Sequence, residues 1–291
     1  DFGLISNPEF LQEGGAIQDT IKPHVVILGG YRTKFMKKTE KFFSWFNPNV
    51  PIIITNHQTA EMIKYTNNSF LATKISFINQ IANICQGIPD TNIDDVAYTI
   101  GLDPRIGNLF LNAGPGYGGS CLPKDMKAII NLSSKIGVNP TLLTAVEKIN
   151  KQQINYIVTL IKQNIGKIKG KKLTILGVAF KPGTDDIRDS MGIDLAKRLL
   201  KLGAKIIIHD PKALENARKI FHDNIKYVKS VPSALKDCQC AIIMTEWKEY
   251  EKINNKTIKH MAKKVIIDSR RIIYNKNLGA KYFAIGLGQK A

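Results

Sequence analysis

One short segment combines a cysteine, a lysine and an aspartate in an arrangement that suits nucleophilic catalysis. Residues 114–125 read GPGYGGSCLPKD, in which four glycines precede Ser120, a candidate helix N-cap, and a proline suited to a first helical turn. Cys121 would then lie at a helix N-terminus beside Lys124, and both favour the nucleophilic thiolate. Asp125, one turn further on, could exchange protons or orient water. A buried structural cysteine in a glycine turn is the alternative interpretation.

Two further pairs of residues have a spacing that suits acid–base or oxyanion chemistry. Glu9 and Glu13 are four residues apart in NPEFLQEG, and on one helix face they could act as acid–base or water-holding groups. Lys64 and Asn68 have the same spacing, and a lysine beside an amide can stabilise a developing oxyanion. Taken alone, both pairs are more typical of a solvated helix face.

A fourth segment follows a predicted strand. Residues 179–190 read AFKPGTDDIRDS and lie at the end of the apolar run 173–180. Ligands of parallel α/β sheets bind at the carboxyl ends of strands, so Lys181 and Arg188 are placed to meet phosphate. Residues 177–179 do not match the dinucleotide-binding fingerprint GxGxxG, which is expected to be absent from this sheet and from the whole chain.

The elements that must position these residues alternate between strands and helices at both ends of the chain. Short apolar runs predict strands at 25–30 and 50–55 around a helix at 34–46, and an apolar stripe predicts one long helix at 57–86. A second helix is predicted at about 140–164. Beyond it, strands are predicted at 173–180, 205–209, 240–244 and 265–268, with helical stretches between them. This alternation predicts an α/β fold that ends in a doubly wound parallel sheet.

Composition limits the class of protein. The 291 residues can form two domains and, with 44% hydrophobic and 23% charged residues, are typical of a globular protein. The chain has no apolar run of about 20 residues, its four cysteines are too few for a disulfide scaffold, and Cys238-Gln-Cys240 matches no common zinc spacing. These features disfavour a secreted, membrane-spanning or disulfide-stapled protein and favour the cytoplasm.

The charge is the most unusual feature of the composition. A net charge of +18 suggests an anionic partner such as nucleic acid, a membrane surface or a phosphorylated ligand. The lysines are spread along the chain, however, and no arginine-rich or aromatic-interleaved run stands out. General surface lysine is therefore favoured over nucleic-acid binding.

Taken together, these segments resemble the UDP-glucose/GDP-mannose dehydrogenase family. NPEFLQEG, the lysine–asparagine pair, DPRIG, GPGYGGSCLPKD, AFKPGTDDIRDS, TEW and DSRR occur in the family's order and at its usual spacing, over essentially all 291 residues. The cysteine segment and AFKPGTDD are the most specific. The NPEFL form resembles the branches that act on UDP-glucose and GDP-mannose, so UDP-glucose is the expected substrate and GDP-mannose the alternative.

The resemblance implies an NAD-dependent four-electron oxidation, in which the C6 alcohol of a nucleotide sugar becomes a carboxylate. Cys121 would hold the substrate first as a thiohemiacetal and then as a thioester. Lys64, with Asn68, would stabilise oxyanions near C6. Proton transfer and control of the hydrolytic water are implied for Asp125 and Glu9, with Glu13 close by.

The resemblance also implies binding residues and a homodimer. The implied nucleotide-sugar contacts are Phe10, Leu11, Phe110, Leu111, Asn112, Ala113, Gly114, Tyr117, Gly118, Phe180, Lys181 and Arg270. The implied NAD contacts are Glu13, Lys124 and Arg188. Arg105 resembles the arginine that reaches into the neighbouring subunit's site and contributes to substrate binding there, which implies a homodimer built on the long central helix.

Three domains follow from the resemblance. Residues 1–56 would be the remnant of an N-terminal Rossmann-like, NAD-binding domain, residues 57–166 a helical dimerisation and catalytic domain, and residues 167–291 a UDP-binding α/β domain. Family members carry a full dinucleotide-binding unit ahead of NPEFL, whereas this chain starts six residues before that motif. We therefore expect a separate NAD-binding domain or subunit, and no meaningful oxidation of UDP-glucose by this chain alone. A non-catalytic fragment that binds nucleotide sugar and dimerises is the alternative.

Overall fold

The computed structural model describes residues 2–11, 13–31, 33–274 and 277–289, and the chain divides into two compact units, residues 1–70 and 71–291. The first unit is built around a pair of parallel strands. Its elements are α1 (Ala16–Ile21), β1 (Val26–Gly29), α2 (Lys34–Phe46), β2 (Ile52–Thr55) and the first half of α3 (His57–Cys85). Strand β1 is buried because Val26 and Leu28 pack on Met36 of α2. The predicted strand–helix–strand order is confirmed here.

The segment before α1 differs from its prediction. Residues 7–11 have no regular secondary structure, so the expectation that Glu9 and Glu13 share a helix face is wrong. The Glu9 carboxylate accepts a hydrogen bond from the backbone N–H of Leu11, a local bond that competes with helix formation. Helix α1 begins only at Ala16, after Gly14, whose φ of 84° does not fit a right-handed helix.

Helices dominate the first half of the second unit. After the remainder of α3 come α4 (Ile93–Gly101), α5 (Leu122–Lys135) and α6 (Thr141–Ile165). The Ser76 hydroxyl of α3 donates to the backbone oxygen of Val146 in α6 at 3.1 Å, so the two helices pack closely. Ala72, Tyr117, Met126 and Val146 form a small core between these elements. The two long predicted helices are confirmed.

A parallel sheet forms the second half of this unit. Its elements, in chain order, are β3 (Lys172–Leu176), α7 (Met191–Lys201), β4 (Lys205–His209), α8 (Leu214–Phe221), β5 (Lys226–Tyr227), α9 (Val231–Leu235), β6 (Cys240–Ile243), α10 (Asn255–Ile258), β7 (Val265–Asp268) and β8 (Lys281–Ala284). All neighbouring strands are parallel, in the order β5-β4-β3-β6-β7-β8. The chain moves outwards from β3 in one direction and then returns to β6 to move in the other, so the predicted doubly wound α/β sheet is confirmed.

The sheet places its ligand-binding edge at the strand ends. In doubly wound sheets, ligands bind where the strand order reverses, which here is the junction of β3 and β6. Strand β3 ends four residues earlier than predicted, because Gly177 has a φ of 94° and a Cβ on it would lie 2.5 Å from Thr245. The residues from Gly177 onwards therefore form a loop over this junction. Among the described residues, no helix is both long and apolar enough to cross a membrane.

Candidate functional site

The glycine-rich segment of the second unit is fixed to three surrounding elements. The backbone N–H of Gly114 donates to the side-chain oxygen of Asn79 on α3 at 2.7 Å. The backbone N–H of Tyr117 donates to Asn150 on α6 at 2.8 Å. The backbone N–H of Gly119 donates to the carbonyl oxygen of Arg188, in the loop that follows β3, at 2.9 Å. The segment is therefore held on the helices at one side and on the sheet edge at the other.

Two of its glycines are required by close contacts with the loop after β3. A Cβ on Gly118 would lie 2.2 Å from the carbonyl oxygen of Asp189. Gly119 has a φ of 84°, and a Cβ on it would lie 2.7 Å from the Phe180 ring. Real Cβ contacts do not reach these distances, so only glycine allows the two segments to approach this closely.

Cys121 lies where this segment enters α5. It occupies the N-cap position with φ −95° and ψ −63° and makes no capping hydrogen bond, so the prediction that Ser120 is the N-cap is wrong. Ser120 instead places its hydroxyl 3.6 Å from the Cys121 thiol, because α5 begins one residue later than expected. Pro123 lies in the first helical turn as predicted. Cys121 is exposed, which excludes the buried structural cysteine.

The two charged residues of this turn form an ion pair. The Lys124 ammonium contacts the Asp125 carboxylate, which is nearly fully buried in the first turn of α5. The backbone N–H of Asp125 donates to the carbonyl oxygen of Cys121 at 2.9 Å. A carboxylate in the first turn of a helix is stabilised by the helix dipole. The predicted set of Cys121, Lys124 and Asp125 therefore lies within one helical turn.

Residues 110–114 form the start of the predicted nucleotide-sugar cradle. Phe110 has a φ of 64°, an uncommon conformation for a bulky residue and typical of functional loops. Leu111, Ala113 and Gly114 are buried, whereas Asn112 is exposed. A Cβ on Gly114 would lie 3.4 Å from the Arg270 guanidinium, so the cradle and the end of β7 adjoin each other.

Arg270 and Lys181 bring positive charge to the strand ends. The Arg270 Nε donates to the carbonyl oxygen of Met244, after β6, at 3.0 Å and lies 2.9 Å from the Glu246 carboxylate. The Lys181 ammonium lies 5.5 Å from the centre of the Phe180 ring. The structure thus places both predicted phosphate or sugar contacts after strands of the same sheet.

Two exposed arginines are paired with neighbouring carboxylates. Arg188 makes two-pronged contacts with Asp186 at 2.7 to 3.0 Å, and this guanidinium lowers the pKa of Asp186. Arg105 contacts Asp103 in the same way and lowers the pKa of that carboxyl. Both guanidinium groups project into solvent, where a phosphate or a second subunit could reach them.

The first unit brings three of its predicted site residues together. The Lys64 ammonium donates to the backbone oxygen of Glu9, lies 3.2 Å from the Glu9 carboxylate, and is 5.3 Å from the centre of the Phe10 ring. Phe10 also packs edge-on against His24 at 5.2 Å. Asn68, one turn after Lys64, is buried. Leu11 and Glu13 are exposed.

Three important residues were missed by sequence reasoning. Asn79 and Asn150 lie on helices far from the glycine-rich segment in the sequence, and no local pattern marks them. The Asp210 carboxylate accepts from the backbone N–H groups of Val178 and Ala179 at 2.7 and 2.9 Å, which fixes the loop after β3. Its position directly after an apolar strand is a signal that could have identified it.

The three residues predicted to contact NAD, which are Glu13, Lys124 and Arg188, are all exposed. The Lys124 ammonium contacts the Asp125 carboxylate, and the Arg188 guanidinium contacts the Asp186 carboxylate. The spacing GxGxxG occurs at Gly114, Gly116 and Gly119, so the expectation that it is absent from the whole chain is wrong. No strand directly precedes this segment, so it lacks the strand–turn–helix context of a dinucleotide-binding fingerprint. In the part of the chain that the structure describes, no group of three or more histidine, cysteine or acidic residues is arranged to hold a metal ion.

Two family descriptions match this chain. The central domain of the UDP-glucose/GDP-mannose dehydrogenase family matches residues 58–152, and the UDP binding domain of the same family matches residues 174–275. Together they cover the long helix, the glycine-rich segment and most of the parallel sheet.

Individual relatives agree with the family match. The chain is 41% identical to the UDP-glucose 6-dehydrogenases of Rickettsia felis and Rickettsia conorii, with 98% of this chain and 65% and 67% of those proteins covered. Its fold is similar to a UDP-glucose dehydrogenase from Pyrobaculum islandicum, with a TM-score of 0.90, 33% identity, and 99% of this chain and 64% of that chain covered. The chain thus spans about two thirds of the length of these relatives.

Proposed function

Because the chain belongs to the UDP-glucose/GDP-mannose dehydrogenase family, we propose that it carries the catalytic and nucleotide-sugar-binding part of an enzyme that oxidises UDP-glucose to UDP-glucuronate with NAD. The observation that carries the proposal is the exposed thiol of Cys121, at the end of a glycine-rich loop fixed against the β3–β6 junction. That junction is where an α/β sheet binds its ligand. The relatives named as UDP-glucose dehydrogenases support this substrate over GDP-mannose.

The proposed chemistry of the second unit starts at the Cys121 sulfur. NAD, when bound, would accept a hydride in each of the two oxidation steps. The Cys121 thiolate adds to the carbonyl carbon of the C6 aldehyde and the carbonyl oxygen takes up a proton, which forms a C–S bond and a thiohemiacetal. When C6 loses its second hydride and the hydroxyl loses its proton, the group becomes a thioester that keeps the same C–S bond. Water then cleaves the C–S bond, which releases the carboxylate and two protons and restores the thiolate. Asp125 is proposed to exchange protons and to orient the attacking water next to this sulfur.

The first unit is proposed to supply oxyanion stabilisation and proton management. The Lys64 ammonium is only partly exposed and is fixed by Glu9, so its charge is held in one place. A fixed cation with the buried amide of Asn68 suits the stabilisation of negative charge on oxygen. Glu9, which is half-exposed, suits proton exchange with the hydrolytic water.

The proposed binding residues divide by the group they would contact. Residues 110–114, Tyr117, Gly118, Phe180, Lys181 and Arg270 are proposed to hold the nucleotide sugar in the second unit, and Phe10 and Leu11 are proposed contacts in the first. Glu13, Lys124 and Arg188 are proposed to contact NAD at the margin of its site. We propose that a further domain or subunit supplies the rest of that site. The domain boundaries at residues 56 and 166 stay predictions.

We also propose a homodimer built on α3. Phe77 and Ile84 are seven residues apart on this helix and are 50% and 55% exposed. Large apolar side chains at that spacing form one stripe, which is typical of a helix that packs on a partner. The exposed guanidinium of Arg105 suits a contact with a second subunit.

Calorimetric titration of the 291-residue chain with UDP-glucose, UDP-glucuronate and GDP-mannose tests the substrate. We expect the two UDP-sugars to bind, because the cradle and the cations at the sheet edge belong to this chain. Binding of GDP-mannose alone would overturn the substrate assignment. Binding of none of the three would favour an inert fragment.

The role of Cys121 is tested in an enzyme that contains this chain together with an NAD-binding domain. We expect Cys121→Ser to stall the reaction before free acid appears, with a loss of at least about 1,000-fold in the rate of UDP-glucuronate formation. Cys85→Ser, a change at a buried cysteine, is the matched control and should retain activity. Acid production by Cys121→Ser at the parent rate would refute the assignment.

The activity of the chain alone is a separate proposal. We expect no steady formation of NADH from UDP-glucose by the purified 291 residues, because the chain spans only about two thirds of the length of relatives named as UDP-glucose dehydrogenases. Addition of the NAD-binding part should restore the reaction. Steady NADH formation without it would refute the proposal.

A further inference from the structure

Two buried amides hold the glycine-rich loop by its backbone. Asn150 is 8% exposed, and its side-chain oxygen accepts from the N–H of Tyr117 at 2.8 Å while its amide nitrogen donates to the carbonyl oxygen of Tyr117 at 3.0 Å. Asn79 is fully buried and accepts from the N–H of Gly114 at 2.7 Å. Asn150 thus pairs with both polar groups of one peptide residue, as a neighbouring strand would.

The contact between Asn150 and the loop leaves no free space. Gly116 has a φ of 112°, and a Cβ on it would lie 2.5 Å from the Asn150 side-chain oxygen and 2.9 Å from Met191. The loop can therefore approach the amide only in this conformation. From Tyr117 the chain continues through two glycines, fixed against Asp189 and Phe180, and reaches Cys121 four residues later. Displacement of Tyr117 would displace Cys121.

We propose that Asn150, assisted by Asn79, is a positioning residue that fixes the nucleotide-sugar cradle and Cys121 in their working geometry; this inference rests on the proposed function. The amide suits the task because it is neutral and presents one donor and one acceptor in a plane. A carboxylate at this position would still accept from the N–H of Tyr117 but would face the carbonyl oxygen of Tyr117 without a proton between them. Two buried acceptors in contact repel each other.

Because residue 150 must donate a hydrogen bond to the Tyr117 carbonyl oxygen, its positioning role can be tested by the pH dependence of a variant. In Asn150→Asp the introduced carboxyl is buried, which raises its pKa, and in its protonated form the O–H can donate to the Tyr117 carbonyl. The pair of hydrogen bonds between residue 150 and the Tyr117 backbone is therefore restored as the pH falls and lost as the pH rises through that pKa. Asn150→Ser loses both bonds and introduces no group that titrates in this range, so its defect should not depend on pH.

The experiment measures how UDP-glucose protects Cys121 of the 291-residue chain against alkylation by iodoacetamide. The readout is the concentration of UDP-glucose that halves the alkylation rate, expressed as variant over wild type at each pH. For Asn150→Asp we expect a ratio of about ten at about pH 8, from the unpaired buried group, falling towards one at about pH 5.5. For Asn150→Ser we expect a similar ratio at every pH. Asn155→Asp, which adds the same charge at an exposed position of α6, should give a ratio of one throughout.

The outcomes separate this inference from the function on which it rests. If UDP-glucose does not protect the wild type, the proposed function fails. If the wild type is protected and Asn150→Asp matches it at all pH values, the positioning role is wrong. A loss in Asn150→Asp that does not change with pH would show a merely structural role and would also overturn the inference. If Asn150→Asp does not fold at high pH, Asn150→Ser carries the test, and a ratio of one for that variant overturns the inference.

Discussion

Cys121 differs from the other three cysteines in its exposure to solvent. Cys85, Cys238 and Cys240 are buried, and burial raises the pKa of the Cys238 thiol to about 11 and also raises the pKa of Cys240. Since only the thiolate reacts with alkylating agents, burial protects all three thiols by limiting access, and the raised pKa protects Cys238 and Cys240 further.

This difference predicts selective labelling. The native chain should take up one equivalent of iodoacetamide at about neutral pH, at Cys121, and the denatured chain should take up four. Mass spectrometry of the labelled peptides measures the positions. Labelling of Cys238 or Cys240 in the native chain at a rate close to that of Cys121 would contradict the burial of these residues.

The environment of His209 predicts how the free energy of unfolding depends on pH. It is buried at the end of β4, with Nδ1 3.1 Å from the Tyr250 hydroxyl and Nε2 3.3 Å from the Glu249 carboxylate. Burial lowers the pKa of His209 and outweighs the opposite effect of Glu249 and Asp210. The fold therefore favours the neutral imidazole. Its contribution to stability is fully present above the unfolded pKa of about 6.5 and is lost as the pH falls.

We expect the melting temperature to decrease as the pH is lowered below about 6.5, and to decrease less steeply in His209→Asn. Scanning calorimetry over a pH series measures both slopes. His222→Asn is the matched control, because this histidine is exposed and its φ of 48° suits asparagine. Parallel slopes for the wild type and His209→Asn would show that burial of this imidazole does not affect stability.

At the scale of elements, the contact between the glycine-rich loop and the loop after β3 depends on Gly118. In Gly118→Ala the new methyl group would lie 2.2 Å from the Asp189 carbonyl oxygen, so one of the two segments must move. We expect the free energy of unfolding to fall by about 1–3 kcal/mol and UDP-glucose to bind more weakly. Urea unfolding and calorimetric titration measure the two effects.

Gly87→Ala provides the control for this substitution. A Cβ on Gly87 would have its nearest neighbour, the Ile84 carbonyl oxygen, at 3.4 Å, so we expect little change in stability or binding. Equal effects of the two substitutions would mean that the close approach at Gly118 has no special role.

The elements that could be predicted from the sequence are those with long or strongly apolar patterns. The four central strands of the parallel sheet follow apolar runs, and α3 and α6 follow stripes that persist over many turns. Strands β5 (Lys226–Tyr227) and β8 (Lys281–Ala284) lie at the sheet edges. Strand β5 has only two residues and leaves no apolar run to recognise, whereas β8 belongs to the short apolar run 282–285 and was missed. Edge strands are defined by pairing with a neighbour, which a local pattern does not reveal.

The sequence could predict the candidate site only where its residues are close together along the chain. Cys121, Lys124 and Asp125 share one helical turn, so their spacing alone places them together. Asn79 and Asn150 reach the loop from distant parts of the chain, and their role depends on packing between helices. For Glu9 and Glu13, in contrast, the sequence predicted a helix that does not form. Their spacing fits a helix, but they lie in a segment where Pro8 and Gly14 disfavour one.

At the scale of the whole molecule, the exposed stripe on α3 predicts self-association. Phe77 and Ile84 are large apolar side chains that are half-exposed in the second unit. Burial of such side chains on a partner helix contributes roughly 1.5–3 kcal/mol each. We expect the chain to sediment as a dimer at micromolar concentration, and Phe77→Glu combined with Ile84→Glu to shift it to the monomer.

Tyr156→Glu is the matched control for dimerisation. Tyr156 is a large side chain with 45% exposure on α6, outside the stripe, so its substitution should leave the dimer intact. A monomeric wild type, or a dimer that survives the double substitution on α3, would refute this interface.

The hydrogen bonds of the glycine-rich segment have a consequence for its dynamics. By composition this segment is a flexible linker, yet the amide protons of Gly114, Tyr117 and Gly119 are each held by a fixed acceptor. These protons should exchange with deuterated water as slowly as those of a helix interior, although no regular secondary structure surrounds them. A sugar nucleotide would then meet a surface that is already ordered, and little of its binding energy would be lost to conformational entropy.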